Sequence, residues 1–227
     1  MNKSISLTSK KHYSILLIGG TGVGKSCLKN RIIRKKFQTE ISTVGVNQQH
    51  LDYTYKNKQI KLMITDTAGQ EQFKSITKSY YKDCFAVLFC FSGDSPRSLK
   101  EAEHYARQFQ VNYQNSKAPE GFAPICLFVR NKCDMSENIF TQNVIDNTIN
   151  GISELYQEFK GFQNIKFFEV SAKEGTNTES LLQYVVEELD KQNVFDIKEQ
   201  NGTVILNQNQ DKNQEKNNES SSSGCCK

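Results

Sequence analysis

The chain has 227 residues, 37% hydrophobic and 24% charged, with a formal net charge of +4. That length suits one domain plus a tail or two small domains, and the apolar content permits a real core. The charge is too mild to argue for nucleic acid, and no apolar run approaches the eighteen or so residues of a membrane-spanning helix.

The start (Met1, Asn2, Lys3, Ser4) carries no signal-peptide apolar region and no Met-Gly myristoylation signal. Residues 1–11 form a flexible polar lead, and residues 12–18 read as a first strand on the run Ile15-Leu16-Leu17-Ile18. Next comes Gly19-Gly20-Thr21-Gly22-Val23-Gly24-Lys25-Ser26, with the G-x-x-x-x-G-K-S spacing of a phosphate-binding loop. It lies between that strand and a helical segment, residues 27–36, as the chemistry requires. Glycines let the backbone wrap a polyphosphate and aim N–H groups inward. Lys25 reaches the outer phosphates, and the Ser26 hydroxyl is a suitable Mg²⁺ ligand.

Residues 37–45 lack clean periodicity and read as a loop. Residues 48–55 and 59–65 alternate as two hairpin strands, with Lys56-Asn57-Lys58 as the turn. Asp66-Thr67-Ala68-Gly69-Gln70 follows at once, placing an acid at a strand end. Residues 72–83 are polar and helix-like. Residues 85–92 are continuously apolar, as in a strand buried on both faces. Residues 98–112 read as a helix and 117–123 as a loop with Pro119 and Gly121. Residues 124–129 are a further buried strand, ending in Arg130-Asn131-Lys132-Cys133-Asp134. A helix over 143–160, a strand over 165–170 ending in Ser171-Ala172-Lys173, and a helix over 178–191 complete the pattern.

Alternating strands and helices predict an α/β fold of three layers. Its sheet is six-stranded and mostly parallel, with one antiparallel edge strand and helices on both faces. Ligands of such sheets lie at the carboxyl ends of the strands. The phosphate loop, Asp66, the 131–134 segment and the 171–173 segment all fall there. Asn131-Lys132-Cys133-Asp134 reads N-K-x-D. A carboxylate at Asp134 accepts from the N1–H and exocyclic amine of guanine, a donor pair adenine lacks, so it selects GTP over ATP. Asn131 ties the base loop to the phosphate loop, the Lys132 stem covers a ring face, and the 171–173 backbone offers an N–H to the guanine oxygen.

Together these motifs resemble those of a Ras-superfamily small GTPase, and within it the Rab family, over about residues 10–192. The resemblance rests on Gly19 to Ser26, Ile41-Ser42-Thr43-Val44-Gly45-Val46, Asp66 to Glu71, Ser79-Tyr80-Tyr81, Asn131 to Asp134, Ser171 to Lys173 and the terminal Gly224-Cys225-Cys226-Lys227. It implies a P-loop NTPase G domain over 12–192 that acts as a monomeric GTP-binding and GTP-hydrolysing switch. Nucleotide contacts come from Thr21, Gly22, Val23, Gly24, Lys25, Ser26, Cys27, Phe37, Thr43, Gly69, Asn131, Lys132, Asp134, Ser171, Ala172 and Lys173. Mg²⁺ is held by Ser26 and Thr43 and, through water, by Asp66. Thr43 meets the metal only with GTP bound, and Gly69 senses the γ-phosphate through its N–H. Gln70 orients the attacking water, with Lys25 as its catalytic partner. No arginine is clearly placed as an internal finger, with Arg31 and Arg34 left open. The resemblance therefore implies slow intrinsic turnover, sped on the order of 10³-fold by a partner's arginine. Its partners are an exchange factor, a GTPase-activating protein, a GDP-dissociation inhibitor, an escort protein of Rab type, and effectors. It implies vesicle traffic on the cytoplasmic face of an intracellular membrane.

The chain departs from the family at its effector-facing aromatics. Gln48 and Thr65 stand where switch I and the strand before D-T-A-G usually carry aromatics, and there is no Trp. Only Tyr80-Tyr81 remains of that triad. Residues 193–227 are rich in Asn, Gln and Ser and are expected to be disordered. Five of the seven cysteines (Cys27, Cys84, Cys90, Cys126, Cys133) form no metal or redox motif and are expected to be reduced. Cys225 and Cys226 resemble a double geranylgeranylation site, and the tail has no polybasic patch to assist a single lipid. Two alternatives stand beside the switch. One is a nucleotide-bound scaffold that does not cycle, favoured by the altered triad. The other is a Ras-like signalling GTPase of the plasma membrane, opposed by residues 41–46 and the Cys-Cys end.

Overall fold

The computed structural model describes residues 12–39, 43, 45–69, 79–135, 140–157 and 165–196. Six strands form one sheet: β1 (Tyr13–Gly19), β2 (Val46–Tyr55), β3 (Lys58–Thr67), β4 (Cys84–Ser92), β5 (Ile125–Asn131) and β6 (Lys166–Glu169). Their order is β2-β3-β1-β4-β5-β6. Only β2 is antiparallel, paired with β3 at the edge, and the other neighbours run parallel. This is the expected mostly parallel sheet with one antiparallel edge strand.

Both sheet faces are covered. In β1, side chains alternate between them. Ile15 and Leu17 join one core with Leu28 and Ile32 of helix α1 (Lys25–Arg34) and Leu182 and Val186 of helix α4 (Thr178–Lys191). Leu16 and Ile18 join the other, with Leu99, Ala102 and Phe109 of helix α2 (Pro96–Asn112) and Ile152 of helix α3 (Gln142–Gln157). Every residue of β4 and β5 is buried, which is why these segments read as unbroken apolar runs.

Local chemistry sets the element ends and moves several of them from their expected places. The first helix starts at Lys25, two residues earlier than expected. Gly24 adopts φ +91° at its N-cap, so Lys25 and Ser26 lie within the first turn. The hairpin turn is two residues, not three. Lys56 and Asn57 both take positive φ, 46° and 62°, and Lys58 already pairs with Tyr55. That pattern matches the strand twist of a tight hairpin. The second long helix starts at Pro96, with Ser95 Oγ accepting from the Ser98 N–H at 3.3 Å. Past residue 192 the packed structure continues. Val194–Asp196 form a 3₁₀ turn, Val194 is fully buried, its carbonyl accepts from Tyr13 Oη at 3.4 Å, and Phe195 meets the Tyr13 ring edge-on. No described helix is long and apolar enough to cross a membrane.

Because the strands from β3 onward in the sheet share one direction, their carboxyl ends bring the loops after Gly19, Thr67, Ser92, Asn131 and Glu169 to one edge.

Candidate nucleotide site

The phosphate loop leaves β1 and enters α1 through Gly24, where a Cβ would overlap the Asn131 amide nitrogen. Lys25 is 6% exposed, and its ammonium donates to the carbonyls of Gly19 at 2.9 Å and Gly20 at 2.7 Å. Burial draws its pKa below the ordinary lysine value, while Cys90, Asp66 and Glu101 act in the opposite direction. Cys90 is itself pushed up to about 12 by burial, so at neutral pH the carboxylates are the groups that support the ammonium. A buried cation with this little compensation favours an anion in the loop beside it. Among the loop residues, Val23 is buried and Cys27 is half-buried against the core, whereas Thr21 and Gly22 are exposed.

Three oxygen-bearing side chains converge next to Lys25. Ser26 Oγ lies 2.6 Å from Thr43 Oγ1, and Thr43 Oγ1 lies 3.5 Å from Asp66 Oδ2. Asp66, at the end of β3, is fully buried. Two hydroxyls and a carboxylate are hard oxygen donors, which fits Mg²⁺ with waters and phosphate oxygens completing its shell. No trio of His, Cys, Asp or Glu among the described residues could hold a metal. Gly69 comes so close to the loop that a Cβ there would sit 2.5 Å from the Thr21 nitrogen and 2.6 Å from the Gly20 carbonyl. Gln70, Ile41, Ser42, Val44 and Glu71 lie outside the described residues.

Asn131 ties the phosphate loop to the loop after β6. Its Nδ2 donates to Val23 O at 2.9 Å, and its Oδ1 accepts from the Ala172 N–H at 3.1 Å. One side chain thus holds the phosphate loop and the 171–173 segment. Lys132 takes φ +64° and places its ammonium 3.5 Å from Asp94 Oδ2. Asp94 is held below its usual carboxylate range by the Ser92 hydroxyl and by Lys132. Asp134 is exposed, and its carboxylate accepts from Ser171 Oγ at 2.6 Å. That bond fixes the exposed acid in a defined orientation. Lys173 is exposed. Phe37 is 40% exposed. Cys225 and Cys226 lie outside the described residues.

The structure adds contacts that the motifs do not give, and it answers the question left open for Arg31. Arg31 of α1 donates through Nε to Ala172 O at 2.7 Å, through an NH2 group to Lys173 O, and through NH1 to Lys35 O at 3.1 Å. Its guanidinium therefore braces the loop after β6 and the end of α1. Lys29, one turn after Lys25, is buried with its ammonium 3.8 Å from Asp66 Oδ2. The signal was present, since Lys25, Lys29 and Ile32 share one face at helical spacing. Arg97 and Glu101 of α2 pair at 2.8 Å beside the loop. They flank a cavity of about 470 Å³, also lined by Thr21, Gly22, Gly69 and Lys132.

Comparison with known proteins agrees with this geometry. The sequence profile of the Ras family matches residues 14–191. The chain is 30% identical over 200 residues to the Ras-related protein Rab-8B of Dictyostelium discoideum, covering 88% of this chain and 90% of the relative. It is 34% identical over 179 residues to the Ras-related protein SEC4 of Candida albicans, covering 77% of each. A family match over most of the length, joined to a phosphate loop, a Ser-Thr-Asp oxygen set and an N-K-x-D loop on one sheet edge, has one consequence: the chain belongs to the Ras family, as a divergent small GTPase of Rab type that binds and hydrolyses GTP.

Proposed function

We propose that this chain is a Rab-type switch of vesicle traffic whose nucleotide state decides which partners it binds. The observation that carries the reading is the Ser26–Thr43 contact at 2.6 Å beside buried Asp66. The reading is supported by these three oxygen donors lying together, a set suited to Mg²⁺. Ser26, Thr43 and, through water, Asp66 would hold Mg²⁺. The metal, when bound, neutralises phosphate charge and orients the phosphates. Lys25 balances the outer phosphates. Gln70 places the attacking water, and the Gly69 N–H meets the γ-phosphate. Phosphoryl transfer asks mainly for such positioning and electrostatics. Loss of the γ-phosphate releases Thr43 and Gly69, which is the switch.

Base selection falls to Asp134, oriented by Ser171, with Asn131 and the 171–173 backbone beside it. Lys132 covers the ring through its stem, and Phe37 closes over the base from the start of switch I. Thr21, Gly22, Val23, Gly24 and Cys27 wrap the phosphates. Turnover alone is slow; Arg31, the arginine of α1 nearest in sequence to the phosphate loop, is held by the carbonyls of Ala172 and Lys173. A GTPase-activating partner supplies the missing arginine. An exchange factor, a GDP-dissociation inhibitor and an escort protein complete the cycle, and lipid on Cys225 and Cys226 anchors the chain to an intracellular membrane.

Localisation of the N-terminally tagged full chain tests this reading in three forms: wild type, Gln70→Leu and Ser26→Asn. The first variant is expected on a membrane and the second diffuse. Identical distributions would show that nucleotide state does not govern recruitment and would overturn the switch reading.

A further inference from the structure

Lys29 is a buried cation that the mechanism above leaves without a task. It is 2% exposed, and the Asp66 carboxylate 3.8 Å away is fully buried. Lysine is rarely buried this deeply unless it is paired. The oxygen it faces, Asp66 Oδ2, is the one that lies 3.5 Å from Thr43 Oγ1, and Thr43 in turn meets Ser26 at 2.6 Å. One carboxylate oxygen therefore faces a fixed ammonium on one side and the hydroxyl pair suited to Mg²⁺ on the other.

We propose that Lys29 competes with Mg²⁺ for Asp66, so that this chain holds the metal more weakly, and releases nucleotide with less dependence on it, than the same site without the lysine. The inference rests on the nucleotide and Mg²⁺ assignments made above. Two physical effects carry it. A fixed positive charge disfavours a second cation within a few ångströms, and the carboxylate that would attract the cation is already partly neutralised. When the metal is absent, Lys29 still compensates Asp66. The nucleotide-free form then keeps this counter-charge beside the buried carboxylate, and removing a counter-charge from a buried ion is strongly destabilising. A lysine that merely oriented Asp66 toward the metal would have the opposite sign, because its removal would weaken Mg²⁺.

The test is release of a fluorescent GDP from the full chain over a series of free Mg²⁺ concentrations, from chelator excess upward, for wild type, Lys29→Met and Lys29→Arg. Lys29→Met keeps the apolar stem and removes the charge. Its Mg²⁺ midpoint is expected at roughly tenfold lower concentration than wild type, with a larger acceleration of release by chelator. Lys29→Arg keeps the charge and should keep the wild-type midpoint. Thermal melts supply a second readout, since the gap between the Mg²⁺–GDP-bound and nucleotide-free forms should widen in Lys29→Met. Should Lys29→Met fail to fold, Lys29→Gln carries the same expectation. A midpoint unchanged or moved to higher Mg²⁺ in the neutral variant, with wild type responding normally, overturns the role given to Lys29 alone. Wild-type release that ignores Mg²⁺ altogether overturns the metal assignment and this proposal with it.

Discussion

The loops at the carboxyl end of the sheet and the outer face of the β2–β3 hairpin are built in opposite ways. At the sheet end, single side chains span long stretches of chain. Asn131 reaches Val23 across 108 positions, and Arg31 reaches Ala172 across 141. Most of these groups are buried or half-buried, so moving one disturbs several loops at once. On the hairpin, partners face each other across one ladder. Gln48 Nε2 donates to Thr65 Oγ1 at 3.3 Å, Gln59 Nε2 donates to Thr54 Oγ1 at 2.9 Å, and Lys61 lies 3.9 Å from Asp52. The Gln59–Thr54 and Lys61–Asp52 rungs are solvated and each worth little, whereas Thr65 is buried beneath exposed Gln48. Meanwhile the inner side of β2, through Leu51, Tyr53 and Tyr55, packs on the core. The hairpin can therefore change its outward residues without disturbing the fold, whereas the nucleotide edge cannot. Gln48 and Thr65, the positions where the resemblance leads one to expect aromatics, are bonded to each other across this ladder.

Substitutions can break or sharpen that contrast. The largest effect is expected for Lys25→Ala, which removes the buried counter-charge to the phosphates. Affinity for GDP should drop by a hundredfold or more, measured by fluorescent-nucleotide titration. Asn131→Ala should follow, because it cuts two loops apart and leaves the Ala172 N–H without its acceptor. GDP release should accelerate on the order of tenfold to a hundredfold, with melting lowered by several degrees. Arg31→Ala loosens only the base loop, so GDP should leave roughly tenfold faster. An analogue lacking the guanine 6-oxygen should be much less affected. Equal acceleration of both ligands would mean that Arg31 supports the fold generally and not the base loop. Gln48→Ala, on the hairpin, should leave nucleotide release within about twofold of wild type. A larger change would tie the two regions together and dissolve the contrast.

The smallest effect concerns pH. Burial holds the His12 pKa below its ordinary value of 6.5, and neighbouring His50 and Lys117 push it the same way. His12 and His50 meet edge to face at 5.6 Å between ring centres. The folded chain thus takes up this proton less readily than the unfolded chain. The associated stability is complete above pH 6.5 and declines as pH falls through the lowered folded value. His50→Gln should flatten the slope of melting temperature against pH in that acid range.

Much of the fold was legible because both signals it depends on are local. Fully buried parallel strands such as 85–92 read as unbroken apolar runs, and the glycine spacing of residues 19–26 needs only chain geometry. Element ends were less legible. Gly24 capping drew Lys25 into the helix, and two positive-φ residues shortened the hairpin turn. The packing of Val194 and Phe195 on Tyr13 joins the two ends of the described core and has no local signature.

The site divides in the same manner. Which chemistry is present follows from residues adjacent in the chain: a phosphate loop, an acid at the end of β3, an N-K-x-D loop and a Ser-Ala-Lys segment, each a short motif. Only the tertiary structure decided how those motifs are held: Arg31 on the base loop, Ser171 on Asp134, Lys29 on Asp66. Each of these contacts joins residues far apart in sequence, and a hydrogen bond or ion pair acts only over a few ångströms. Their partners become identifiable once the parallel sheet has carried them to a common edge.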